Sequence, residues 1–220
     1  MGERINLVSD DSHNFNAYVS RPNGDTKGAI IVVQEIFGVN SHIRAVCDQY
    51  ADLGYTAIVP ALFDRISEGI ELQYDTDGVQ EGLKLKGQVE DAAALKDIAA
   101  AVVHVASNGP VAIVGYCWGG TLAFLAACDL GGISKAIGYY GGGIAKQLGK
   151  RPQIPTLLHF GDSDGSIPME DVDLVTKAHP ELEIHVYEAG HGFNCDVRGS
   201  YDKASADLAL DRTLKFLEGA

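Results

Sequence analysis

Short apolar runs rich in β-branched residues alternate along this chain with longer stretches of helical period. That alternation leaves few folds open, because a strand buried on both faces needs helices above and below it. The reading is an α/β fold: a mainly parallel sheet of about eight strands with helices on both faces. Strands are predicted over 5–8, 15–20, 29–34, 55–60, 111–116, 136–140, 156–161 and 183–187, with the first two forming an antiparallel edge pair. Helices are predicted over 42–53, 89–105, 118–128, 169–179 and 201–218. The stretch 64–87, richer in Gly, Asp and Gln, reads as an excursion that rims a binding site rather than as an interdomain linker. At 220 residues and 46% apolar content the chain has enough core for one domain spanning 1–220.

Seventeen Lys plus Arg against thirty Asp plus Glu give a net charge of −13. Such a surface repels nucleic acid and anionic membranes, so neither is an expected partner. No basic segment leads into an apolar run at the N-terminus and no apolar stretch reaches about 18 residues, so neither a signal peptide nor a membrane span is expected. Cys47, Cys117, Cys128 and Cys195 fit neither a CxxC metal site nor a dense disulfide framework. Free thiols in a reducing cytoplasm are the expectation, in a monomer.

The chemistry-bearing stretch is VAIVGYCWGGT, which reads strand, sharp turn, helix and fits the nucleophile-elbow pattern with cysteine in place of serine. At the turn Cys117 would stand at a helix N-terminus, whose partial positive charge favours a thiolate. The alternative is an inert core cysteine with glycines that serve packing. Two later strand ends supply an acid and a base: HFGDSDGSIP follows the strand 156–161 and EAGHGFNC follows 183–187. The chain order nucleophile, acid, histidine is that of α/β-hydrolases. Asp164 is preferred to Asp162 as the acid, Asp162 reading as a turn residue. His191 is the base, and the other six histidines lack the spacing of a metal site.

The loop after the third strand, QEIFGVN, would supply one oxyanion-hole amide, from Ile36, with the second from Trp118. Glu35 falls within reach of Cys117, where it could hold the thiol proton; a solvent-facing glutamate is the equally open alternative.

Together QEIFGVN, GYCWGG, GYYGGG with its downstream KQL, GDSDGSIP, AGHGF and RTLKFL resemble the dienelactone hydrolases (carboxymethylenebutenolidases) over nearly the whole chain. The resemblance implies Cys117 as nucleophile, His191 as base, Asp164 as its orienting partner and Glu35 as a thiol-paired gate. It implies hydrolysis of an enol lactone such as dienelactone to maleylacetate, in the degradation of chlorinated aromatics, through a thiol ester and without metal or cofactor. The rival functions are a general carboxylesterase or thioesterase, and a non-catalytic ligand binder. Best-known members carry an arginine in the excursion and another four residues after the catalytic histidine; here Val79, Leu83 and Lys86 approximate the first position and Cys195 fills the second. Arg198 is either a replacement that binds substrate or an ion-pair partner for Asp196 or Asp202. Lys86 and Arg65 are the other cations considered for that role, and Phe37 and Tyr140 are expected to line the substrate pocket.

Overall fold

The computed structural model describes residues 2–219. Eight strands form one sheet in the order β1-β2-β4-β3-β5-β6-β7-β8. They are β1 (Glu3–Val8), β2 (Asn14–Ser20), β3 (Ala29–Val33), β4 (Thr56–Pro60), β5 (Val111–Tyr116), β6 (Lys135–Tyr139), β7 (Thr156–Gly161) and β8 (Glu183–Tyr187). β1 pairs antiparallel with β2 and β2 with β4, whereas every pairing from β4 to β8 is parallel. The sequence explains the split. β3, β4 and β5 are almost wholly apolar and buried along their whole length, which suits the covered centre of a parallel sheet. β1 alternates apolar with polar and leaves one face to water, as an edge strand can.

The helices are α1 (Ser41–Asp52), α2 (Thr76–Lys86), α3 (Asp91–Val105), α4 (Trp118–Asp129), α5 (Met169–Ala178) and α6 (Lys203–Glu218). Every predicted strand and helix is present with ends shifted by a residue or two. Side-chain caps set three helix starts: Asn40 accepts from the Ile43 amide at 3.1 Å, Asp75 from Gly78 at 2.8 Å and Asp202 from Ser205 at 2.8 Å. α4 is buried almost all round because it packs on β5 and β6 at the centre of the sheet and against α3.

Helix α2, inside the excursion, was not foreseen. Its sequence TDGVQEGLKLK carries two glycines, which weaken both the period and the propensity. Gly82 is there for contact: a Cβ would stand 2.3 Å from the Ile36 carbonyl oxygen, so only glycine lets α2 lie against the loop after β3.

The parallel register aligns the strand ends. Val33 pairs with Gly115, so the loop carrying Glu35 and Ile36 leaves the sheet beside the turn that carries Cys117. Gly161 pairs with Tyr187, which brings the loops of Asp164 and His191 together one strand beyond β6. Ligands of open parallel sheets lie at this carboxyl edge.

Candidate active site

Cys117 occupies the turn between β5 and α4 at φ 56° and ψ −115°, a conformation that a non-glycine residue adopts only when its surroundings impose it. The surroundings are tight. A Cβ on Gly119 would stand 2.3 Å from the Val33 carbonyl oxygen, so the first turn of α4 presses against the end of β3. The Cys117 amide donates to the Tyr139 carbonyl at 3.0 Å, and its own carbonyl accepts from Gly120 at 3.0 Å. The strained turn lifts the thiol out of the sheet into a partly exposed position, while Cys47 and Cys195 are buried and inert to solvent. Burial pushes the Cys195 thiol up to about 12.

His191 Nε2 lies 3.2 Å from the Cys117 sulfur and its Nδ1 lies 2.7 Å from Asp164 Oδ2. The other Asp164 oxygen accepts from the Ser166 amide at 2.8 Å, which fixes the carboxylate. Asp162 meets only the neighbouring Ser163 hydroxyl, so the geometry selects Asp164. Burial disfavours the charged His191 ring, but the hydrogen bonds and charges of Asp164 and Cys117 outweigh it and push the imidazole pKa up to about 10. A thiol, a base and an acid in line can generate a thiolate and shuttle its proton.

The Ile36 amide donates to no backbone acceptor among the described residues, and Trp118 is the first residue of α4, whose N–H has no partner inside the helix. Both residues line the cleft beside Cys117. The Trp118 indole donates to Asp91 at 2.9 Å and its ring stacks on Phe63 at 5.6 Å, which fixes this side of the cleft.

Glu35 departs from expectation. The carboxylate accepts from the Tyr74 hydroxyl at 2.8 Å and from the Arg198 guanidinium at 3.2 Å, with no hydrogen bond to Cys117. The physical reason is desolvation: a carboxylate side chain 2% exposed needs a cation, and the guanidinium supplies one where a cysteine cannot. The thiol faces His191 rather than Glu35. Arg198 also lies 5.7 Å from the ring centres of Phe37 and Tyr74. Its alternative partners are engaged elsewhere, Asp196 with His42 at 3.1 Å and Asp202 at the α6 cap.

Arg65 is withdrawn from the cleft by a two-pronged pair with buried Asp97 at 2.8 and 2.7 Å and by Asp11 at 3.0 Å. Tyr140 is also misplaced by the sequence reading. It is 1% exposed and packs 5.1 Å from the His191 ring and 5.4 Å from Phe193, supporting the histidine rather than lining the cleft. Phe37 does line it, as do Val79, Leu83, Lys86 and Arg198, in a volume of about 410 Å³. Linear spacing also missed that the fold brings ligand atoms of Glu35, His42 and Cys195 within 4.8 Å of one another. Both Glu35 oxygens are already engaged there, and His42 holds Asp196. Tyr74 went unnoticed because nothing in a polar excursion marks one tyrosine as the partner of a glutamate 39 residues away.

A strained strand-to-helix turn carrying a cysteine, with an aspartate and a histidine following in chain order at later strand ends of a sheet of this strand order, is the arrangement of an α/β-hydrolase. Within that class the chain belongs to the dienelactone hydrolase family, which residues 15–220 match. It is 38% identical over 226 residues to carboxymethylenebutenolidases of Pseudomonas putida and Pseudomonas knackmussii, an alignment covering 98% of this chain and 95% of each relative. A putative dienelactone hydrolase from Klebsiella pneumoniae is 31% identical and superposes with a TM-score of 0.84 over 99% of this chain and all of that one. The chain is thus a hydrolase. Among the described residues no helix is long and apolar enough to cross a membrane.

Proposed function

We propose that this hydrolase opens activated carboxylic esters, enol lactones foremost, through a thiol ester on Cys117. The observation that carries the reading is the line of contacts from the thiol through His191 to Asp164, at 3.2 and 2.7 Å. His191 takes the thiol proton, and the thiolate attacks the ester carbonyl. The oxyanion is met by the amides of Ile36 and Trp118; losing one such donor costs on the order of 10²-fold in rate. The C–O bond breaks as His191 returns the proton to the departing oxygen. Water, activated by the same imidazole, then hydrolyses the thiol ester and frees the thiol. Asp164 holds the ring in place and offsets its charge.

The sulfur selects the substrate. A thiolate attacks readily near neutral pH but also departs readily, so the adduct collapses forward only when the substrate's own leaving group is comparably good. Enolates and phenolates qualify, whereas simple alkoxides do not. The carboxymethylenebutenolidase names of the relatives support the lactone assignment. The test is a kcat/KM comparison of phenyl and ethyl acetate, with mass spectrometry of the enzyme quenched during turnover. A large preference for the phenyl ester and an acyl group on Cys117 are expected. Equal turnover of both esters, or full activity in Cys117→Ala, would overturn the reading.

A further inference from the structure

Glu35 from the loop after β3, His42 from the first turn of α1 and Cys195 from the loop after β8 bring a carboxylate oxygen, an imidazole nitrogen and a sulfur within 4.8 Å of one another. Glu35 and Cys195 are buried, and the His42 side chain is 8% exposed. A tetrahedral ion with ligands at about 2.0–2.3 Å sets them about 3.3–3.7 Å apart, so the trio has to close by about 1.5 Å at most. A second observation points the same way. His42 Nδ1 lies 3.1 Å from Asp196 Oδ1, and an Nδ1–H given to that carboxylate leaves the Nε2 lone pair for an ion. A carboxylate that holds the far nitrogen of an imidazole is the usual support of a metal-bound histidine. There is also a way in: a cavity of about 250 Å³ is lined by His42, Asn194 and Asp196 and by no lysine or arginine. It shares no lining residue with the cleft beside Cys117. On a chain of net charge −13 such a mouth favours cations.

We propose that Glu35, His42 and Cys195 form a site for a thiophilic divalent cation of the Zn²⁺ class, with Asp196 orienting its histidine and a water from the cavity as fourth ligand. The donor set chooses the ion. A thiolate and an imidazole beside one carboxylate suit Zn²⁺, whereas Mg²⁺ and Ca²⁺ take oxygen ligands. Glu35 already accepts from Tyr74 at 2.8 Å and from Arg198 at 3.2 Å, but a carboxylate has about four lone-pair sites, so each oxygen keeps one. Arg198 is the competitor. Its side chain is 20% exposed and reaches the cleft, so it can turn to water as the ion takes over the charge of Glu35. As the S–Zn bond forms, the Cys195 S–H bond breaks and its proton leaves to water, while His42 binds neutral. The two charges of the ion are then met by the thiolate and by Glu35. None of the triad residues is a ligand, so the ion takes no part in ester cleavage.

The experiment titrates the tag-free, metal-free protein with Co²⁺ and then with Zn²⁺, which displaces it. One equivalent of Co²⁺ should give the visible bands of a tetrahedral ion and a near-ultraviolet sulfur-to-cobalt charge-transfer band. Cys117 and His191 are the rival thiol and imidazole, so Cys117→Ala should keep the whole spectrum. Cys195→Ser should lose the charge-transfer band, with circular dichroism checking its fold. Asp196→Asn changes a side chain that is 68% exposed and leaves the core alone. It should keep the band but weaken Zn²⁺ about ten- to a hundredfold in competition with a chromophoric chelator. Arg198→Met, which removes the competing cation, should tighten Zn²⁺, and Mg²⁺ should displace nothing. No sulfur band in the wild type, a band that survives Cys195→Ser and vanishes in Cys117→Ala, or an unchanged Zn²⁺ affinity in Asp196→Asn overturns the site. None of these readouts uses ester turnover, so their failure leaves the hydrolase reading untouched.

Discussion

Two histidines stand at the carboxyl side of this sheet, His159 fully buried and His191 partly so, and their surroundings drive them in opposite directions. His159 lies within β7 at 0% exposure, with Nδ1 2.7 Å from the Tyr187 hydroxyl and Nε2 3.1 Å from Thr213 Oγ1. Burial, reinforced by the charges of His185 and Arg212, drives its pKa well below the usual imidazole value. His191, partly buried, is also desolvated, yet Asp164 and Cys117 push it up to about 10. Each ring also packs against a buried tyrosine, Tyr139 at 4.4 Å and Tyr140 at 5.1 Å. Desolvation therefore acts on both, and the Asp164 carboxylate together with the Cys117 sulfur separates a ring that refuses a proton from one that holds it.

The most severe way to break this contrast is Asp164→Asn, which turns the surroundings of His191 into those of His159. The rate should fall by about 10²–10⁴-fold, the range that proton transfer by a positioned base supplies. Ring titration followed by NMR should show the His191 pKa dropping by several units. Asp162→Asn should change neither. A normal rate in the Asp164 variant, or an equal loss in the Asp162 variant, would remove Asp164 from the chemistry.

The contrast also marks what a sequence reader can see. The proximity of Cys117, Asp164 and His191 was legible because each follows a recognisable strand within a few residues, in the order an α/β-hydrolase would place them. The strands of the core were legible for the same local reason. The Glu35–Tyr74–Arg198 cluster was not, since its members come from three loops and meet only through tertiary packing. Tyr140 adjoins a strand end, which reads equally well as a pocket wall or as a support; only its 1% exposure decides. Helix α2 was hidden by the glycines that let it pack.

A smaller effect sharpens the other half of the comparison. Thr213 Oγ1 serves both His159 Nε2 at 3.1 Å and the Tyr139 hydroxyl at 2.6 Å, all three residues being essentially fully buried. Thr213→Val keeps the shape and removes the shared hydroxyl, so the loss should be about 1–3 kcal/mol in urea unfolding with kcat unchanged. An unaltered unfolding midpoint would show that the network contributes nothing beyond packing.

The finest test is the sign of the pH dependence of stability. Below the ordinary imidazole value of 6.5 the unfolded chain takes up a proton at His159 that the folded chain refuses, so this residue lowers stability as pH falls from 6.5. At His191 the folded chain keeps a proton up to about 10 that the unfolded chain releases above 6.5. Its contribution is complete below 6.5 and fades as pH rises through 10. Each slope is bounded at about 1.4 kcal/mol per pH unit for one proton. Subtracting variant from wild-type unfolding curves between pH 5 and 10 isolates them: His159→Phe should flatten the acid limb and His191→Gln the alkaline limb. If both substitutions flattened the same limb, the two rings would share one protonation state, and Asp164 would not be what separates them.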